Sequence, residues 1–170
     1  MTAAEFSREI DVRQAEGKYL HLVASAKECA ALARRFGLVR IDRLEAELTL
    51  FRIDTGVEAR GRIDAAFVQS CAVSGEDFPI AIDEPLFFRF VPAGGHPAAE
   101  EVELAAEDCD EIEFTGVMID PGEAVAQSLA LVIDPFAEGP GADEARRRAG
   151  IVSEGKAGPF AALDGLLGKP

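Results

Sequence analysis

Two histidines, His21 and His96, and three cysteines, Cys29, Cys71 and Cys109, are the side chains best suited to serve as base, nucleophile or soft metal ligand. A structural zinc site needs four Cys or His ligands in short paired spacings such as CxxC, and these residues are scattered singly along the chain. No metal and no other cofactor is expected. A catalytic centre needs convergent acid, base and nucleophile. His21 falls in a predicted strand, His96 in a Gly/Pro loop, and a pair such as Cys71 with His21 carries no catalytic signature. Glycine patterns such as GRIDAAF and GPGADE match neither GxxxxGK[ST] nor a strand-to-helix GxGxxG. The chain reads as a non-enzyme with no catalytic residues.

The remaining candidates are binding residues. Gln69 and Cys71 share by alternation the strand face of Phe67 and Val73, which fits packing beneath a turn. Alternatively they form, with Asp83 and Glu84 on the returning strand, a contact surface at the hairpin tip. Those two carboxylates could accept a basic segment of a partner protein, or stand as ordinary solvated charges.

Charge decides what kind of partner is plausible. With 17 Lys and Arg against 31 Asp and Glu, the net charge is -14, which repels RNA as a whole and favours a basic protein. Solubility alone also accounts for it. Arg34, Arg35, Arg40, Arg43, Arg52, Arg60 and Arg62 nevertheless lie in one stretch with five acids. If Arg40, Arg43, Arg60 and Arg62 gather on one sheet face, a weak local RNA contact survives the global field. The competing expectation is scattered arginines paired with Glu45, Glu47 and Glu58.

The elements that must position these residues are legible from periodicity. The segment FSREIDVRQAEGKYLHLVAS predicts two extended pieces around Glu16-Gly17, with Phe6, Arg8, Ile10 and Val12 on one face of the first. SAKECAALARRFG predicts a helix with Ser25 as N-cap, Glu28 completing a capping box, and Gly37 as the stop. From Val39 to Cys71 the pattern is extended, with Leu44, Ala46, Leu48 and Leu50 facing one way and Glu45, Glu47 and Thr49 the other. Phe78, Ile80, Ile82, Leu86, Phe88 and Phe90 share a face of the next strand, in which Pro79 and Pro85 predict an edge or a bulge. Eight carboxylates and no cation lie between Glu100 and Glu113, with short strands expected at VEL and around Glu111 to Phe114. Asp120-Pro121-Gly122-Glu123 opens a second helix whose buried stripe is Val125, Leu129, Val132 and Ile133.

These elements add up to an α+β domain: a curved, mainly antiparallel β-sheet with two principal helices and a semi-disordered C-terminal tail. The domain covers residues 1–136. Residues 137–158, rich in Gly, Ala, Pro and charge, read as a mobile linker. Residues 159–170 read as a short amphipathic element that docks on the body or in a partner groove. No apolar run is long enough for a membrane helix, and the N-terminus lacks the apolar core of a secretory signal, so a cytoplasmic protein is expected.

Residues 59–92, ARGRIDAAFVQSCAVSGEDFPIAIDEPLFFRFVP, resemble the hallmark of the YceD family. The matching positions are Gly61, Ala65, Gln69, Cys71, Ile82, Asp83, Glu84, Phe90 and Pro92, and the flanking ALARRFGL, RLEAELTL, IDPGEAVAQSLALVIDPF and PFAAL agree. The cysteine cluster that some branches carry after the LVIDPF-like segment is missing from AEGPGADEARRR. The resemblance implies a factor supporting accumulation of large-subunit (23S) ribosomal RNA and ribosome assembly, through a basic ribosomal protein or a large-subunit precursor. The alternative is a ribosome-independent acidic adaptor, chaperone-like towards basic proteins.

Overall fold

The computed structural model describes residues 4–54, 56–94 and 110–151. His96, Cys109, the expected VEL strand and the terminal amphipathic element lie outside the described residues. The described residues fall into two compact units, one drawn from residues 4–69 and 79–134 and the other from residues 70–78 and 135–151.

In the first unit, the chain enters through β1 (Ile10–Asp11) and a single 3-10 turn, Val12–Gln14, in place of the longer first strand expected. Asp11 caps that turn by accepting from the Arg13 backbone N–H, which diverts the chain from an extended course. β2 (Tyr19–Val23) leads into α1 (Ala26–Phe36). Ser25 and Glu28 form the expected capping box, and Gly37 ends the helix at φ +68°, a conformation that favours glycine.

Three long strands follow: β3 (Arg40–Ile53), β4 (Gly56–Ser70) and β5 (Asp77–Pro92). β6 (Asp110–Phe114) completes a five-stranded sheet in the order β2-β3-β4-β5-β6, while β7 (Met118–Ile119) pairs with β1. β2 with β3 and β3 with β4 are antiparallel; β6 lies parallel to β5. The class is α+β with a mostly antiparallel sheet. β6 pairs only with Phe88 to Pro92, so Pro79 and Pro85 sit on the stretch of β5 that it does not reach. Proline costs little where no ladder partner is waiting for its missing N–H.

Alternation assigns one sheet face to the core. Leu44, Leu48, Leu50, Ile63, Phe67, Phe88 and Phe90 are buried there with Leu32 of α1. β3 obeys strict alternation from Leu44 to Phe51. A bulge between Ile41 and Arg43 inserts Asp42 as an unpaired residue, which lets both Ile41 and Leu44 point inward. α2 (Pro121–Val132) begins at Asp120, whose carboxylate accepts from the Gly122 and Glu123 N–H groups. The same carboxylate accepts from the Arg8 N–H at 2.7 Å and the Ser7 hydroxyl at 2.6 Å, so one residue caps the helix and ties down the N-terminal segment. Val125 and Leu129 are buried as expected, whereas Val132 is exposed because the helix ends there.

In the second unit, the connection after β4 folds on itself: Cys71 N–H donates to the Glu76 carbonyl and Gly75 N–H to that of Cys71. Ala72 N–H donates to the Ala137 carbonyl, and α3 (Ala142–Arg148) lies within the segment read from sequence as linker. A short ion-paired helix with acids in its first turn and arginines in its last accounts for the charge that looked like linker composition. No helix among the described residues is long and apolar enough to cross a membrane.

Candidate functional site

The face of the sheet opposite the core carries the candidate site. Outward positions are Tyr19, His21 and Val23 on β2, Arg43, Glu45, Glu47, Thr49 and Phe51 on β3, and Glu58, Arg60, Arg62 and Asp64 on β4. From β5 come Asp83, Phe87 and Arg89. Register then places Glu45 opposite Asp64, Glu47 opposite Arg62, Thr49 opposite Arg60, and Phe51 opposite Glu58.

At one end these residues form a cleft of about 210 Å3 lined by His21, Glu45, Ala46, Glu47, Arg62, Asp64 and Asp83. His21 Nε2 lies 3.6 Å from the Glu45 carboxylate. Arg62 grips Asp83 through Nε and a terminal nitrogen, at 2.9 and 2.7 Å. Arg43 Nε donates to Asp64 at 3.0 Å. A hydrogen bond to Glu47 raises the Tyr19 phenol above its usual range. Glu45 and Asp64 face each other across the strand pair and repel, with Arg43 beside Asp64 and His21 beside Glu45.

At the other end, Glu58 is buried although its position faces outward. Its carboxylate takes Arg60 Nε at 2.5 Å and stands 3.5 Å from Arg89 Nε. Both guanidinium groups lie over the Phe87 ring, 5.0 and 5.8 Å from its centroid. A shallow groove of about 490 Å3 is lined by Arg60, Gly61, Leu86, Phe87 and Arg89.

The structure thus sorts the residues singled out from sequence. Asp83, a protein-contact candidate, and Arg62, an RNA-contact candidate, are bound to each other. Arg40 pairs with Asp42, Arg43 with Asp64 and Arg60 with Glu58. The Glu58 pairing matches expectation; Glu45 instead receives His21, and among the described residues no arginine forms an ion pair with Glu47. The four arginines therefore do not gather into one basic patch. Glu84 is exposed and has no hydrogen-bond or ion-pair partner among the described residues.

Gln69 and Cys71 are buried, at 5% and 3% exposed, and belong to different units. Gln69 Nε2 donates to the Asp134 carbonyl at 2.9 Å, which anchors the end of β4. Cys71 sits in the turn as an acceptor: the Ser74 hydroxyl and N–H, with the Gly139 and Val73 N–H groups, hold its thiol down at about 7. Burial pushes the Cys29 thiol the other way, upward. Among the described residues no group of three or more His, Cys, Asp and Glu is arranged to hold a metal ion.

Sequence reasoning passed over Phe87 and Arg89 as a site. Their i, i+2 spacing in LFFRF was a signal that they share a face, but the meeting with Arg60 and Glu58 depends on strand register. Comparison of the chain with protein-family models, with curated proteins and with solved structures gives no match.

Proposed function

We propose that this chain is a non-enzymatic, cytoplasmic factor that binds a basic ribosomal protein and so supports large-subunit ribosomal RNA accumulation and ribosome assembly. The observation that carries the binding mode is the carboxylate cleft. Glu45, Glu47, Asp64 and Asp83 converge there against one arginine, Arg62, and one histidine, His21, while Arg43 neutralises only Asp64. Glu84, unpartnered on the neighbouring strand, adds to the same field, and the net charge of -14 steers a cationic partner towards it. The cleft is lined by no hydroxyl or thiol that His21 could activate, so binding fits it better than nucleophilic catalysis. The ribosomal context comes from the resemblance to the YceD family, and a ribosome-independent adaptor for basic proteins is the alternative.

Co-sedimentation separates the two. The protein should travel with large-subunit precursor particles, and the combined change Glu45→Gln, Glu47→Gln, Asp83→Asn and Glu84→Gln should weaken that association at least about tenfold, as loss of several charge pairs would. Basic proteins captured equally well from ribosome-free extract, with no sedimentation with precursors, would establish the adaptor instead.

A further inference from the structure

We infer that β2 is an open sheet edge that takes up an extended, lysine- or arginine-bearing segment of the basic partner as an additional antiparallel strand. The inference rests on the carboxylate cleft as the site of that partner and specifies how the partner is held.

β2 borders the sheet, with β3 on one side and no strand on the other. Leu50 N–H donates to the Lys18 carbonyl, and Ala24 N–H donates to that of Leu44. With these two bonds fixed, alternation turns the backbone groups of Leu20 and Leu22 towards β3 and those of Tyr19, His21 and Val23 towards the open side. Among the described residues, the outward groups of Tyr19 and His21 have no hydrogen-bond partner. The Val23 carbonyl accepts from Arg8 Nη2, and Glu28 holds that guanidinium, so the open stretch is bounded at its C-terminal end. Edge strands are ordinarily guarded by a proline, a bulge or an inward-pointing charge. The segment YLHLV has no proline and no such charge, and its register with β3 runs without a shift. Tyr19 and Val23 remain 59% and 47% exposed.

Charge selects the occupant. Glu45 and Glu47 stand two residues apart on β3, and both carboxylates engage β2 rather than β4. Glu45 lies 3.6 Å from His21 Nε2, and Glu47 accepts from the Tyr19 hydroxyl. Neither forms an ion pair with a lysine or arginine among the described residues. A strand added to β2 repeats the same two-residue period, so its alternate side chains fall on the face that carries both glutamates. Two strand spacings, roughly 10 Å, separate its backbone from β3, a gap that a long cationic side chain and a glutamate span between them. The residues between those cations turn to the other face, beside the partly buried Leu20, where apolar side chains fit. Main-chain bonds supply affinity in this mode, and alternate side chains select the sequence. A second copy of this chain fits poorly, because it brings another charge of -14 and a second pair of glutamates to the same edge.

Binding of a synthetic peptide of alternating lysine and valine to the full chain, followed by fluorescence anisotropy and amide hydrogen exchange, tests this. In the free protein the Tyr19 and His21 amides should exchange rapidly, while those of Leu20 and Leu22 are protected. The peptide should slow the Tyr19 and His21 amides at least about tenfold. Methylating the peptide's lysine amide nitrogens, which face β2 in an antiparallel addition, should weaken binding at least about tenfold. Methylating the valine amides, which face away, should leave binding in place. Glu45→Gln with Glu47→Gln should weaken it about tenfold. His21→Pro deletes an outward N–H without touching the β3 ladder, and should weaken binding more than His21→Ala does. The inference is overturned if the lysine-methylated peptide binds as well as the unmodified one. It is also overturned if the Tyr19 and His21 amides are already protected in the free protein, whether by a second copy (concentration-dependent) or by the chain itself (concentration-independent). In either case, weakening by the two glutamate changes leaves the basic-partner reading of the cleft intact. That reading fails, and the inference with it, if a peptide of alternating glutamate and valine binds as tightly.

Discussion

The two ends of the exposed sheet face use the same residue types to opposite effect. At the cleft end, Glu45 and Asp64 face each other across the strand pair and surround themselves with only part of the cation they could use. At the groove end, a single buried Glu58 is shared by two arginines, which lie over Phe87. One end holds carboxylates at a cost to stability and offers them outward. The other uses its carboxylate to hold arginines in place. The difference teaches that net charge does not describe a surface: the same -14 chain carries clustered carboxylates at one end of the face and arginines matched to a buried carboxylate at the other.

Gly61 lies between them, flanked by Arg60 and Arg62, and changing it should have the largest effect. A Cβ there would stand 1.7 Å from the Glu47 carbonyl oxygen, a backbone atom that cannot swing away. Gly61→Ala should separate β3 from β4 and cost at least about 3 kcal/mol by chemical denaturation, removing binding at the carboxylate cleft with it. A variant of wild-type stability would show that the strands have room the geometry denies.

The comparison holds only where the fold does, and acid limits it. Arg8, with the Ser25 N–H and hydroxyl, holds Glu28 down at about 2, from 4.5. A depressed carboxylate contributes its stability above its unfolded pKa and loses it as pH falls through the folded one. Stability should therefore fall between about pH 5 and pH 2, by about 2 kcal/mol from this group after allowing for solvent screening. Glu28→Gln should flatten that part of the pH profile; an unchanged profile would assign the acid loss elsewhere.

Smaller changes separate the two carboxylate roles directly. Glu58→Gln should destabilise the fold by about 1–2 kcal/mol, since it strips a buried charge partner from two guanidinium groups. Glu45→Gln should do the reverse, raising stability by about 0.3 kcal/mol as the repulsion with Asp64 is relieved, while weakening the basic partner. Equal destabilisation by both changes would erase the distinction between the ends.

Much of this was legible in the sequence because it is local. Ser25, Glu28 and Gly37 announce α1, and Asp120 and Pro121 announce α2. Two-residue alternation assigns Leu44, Leu48 and Leu50 on β3, and Leu86, Phe88 and Phe90 on β5, to the core face. Caps and periodicity act over a few residues, so one strand or helix carries the whole signal. Tertiary structure decided the rest. Whether Arg62 meets Asp83 or Arg89 meets Glu58 depends on how neighbouring strands slide past each other, which no single strand encodes. The bulge at Asp42, the parallel placement of β6 and the helix within residues 137–158 were likewise settled by what each segment packs or pairs with. Residue types and faces were therefore set by the sequence alone, but which charges cancel and which remain for a partner was set by register.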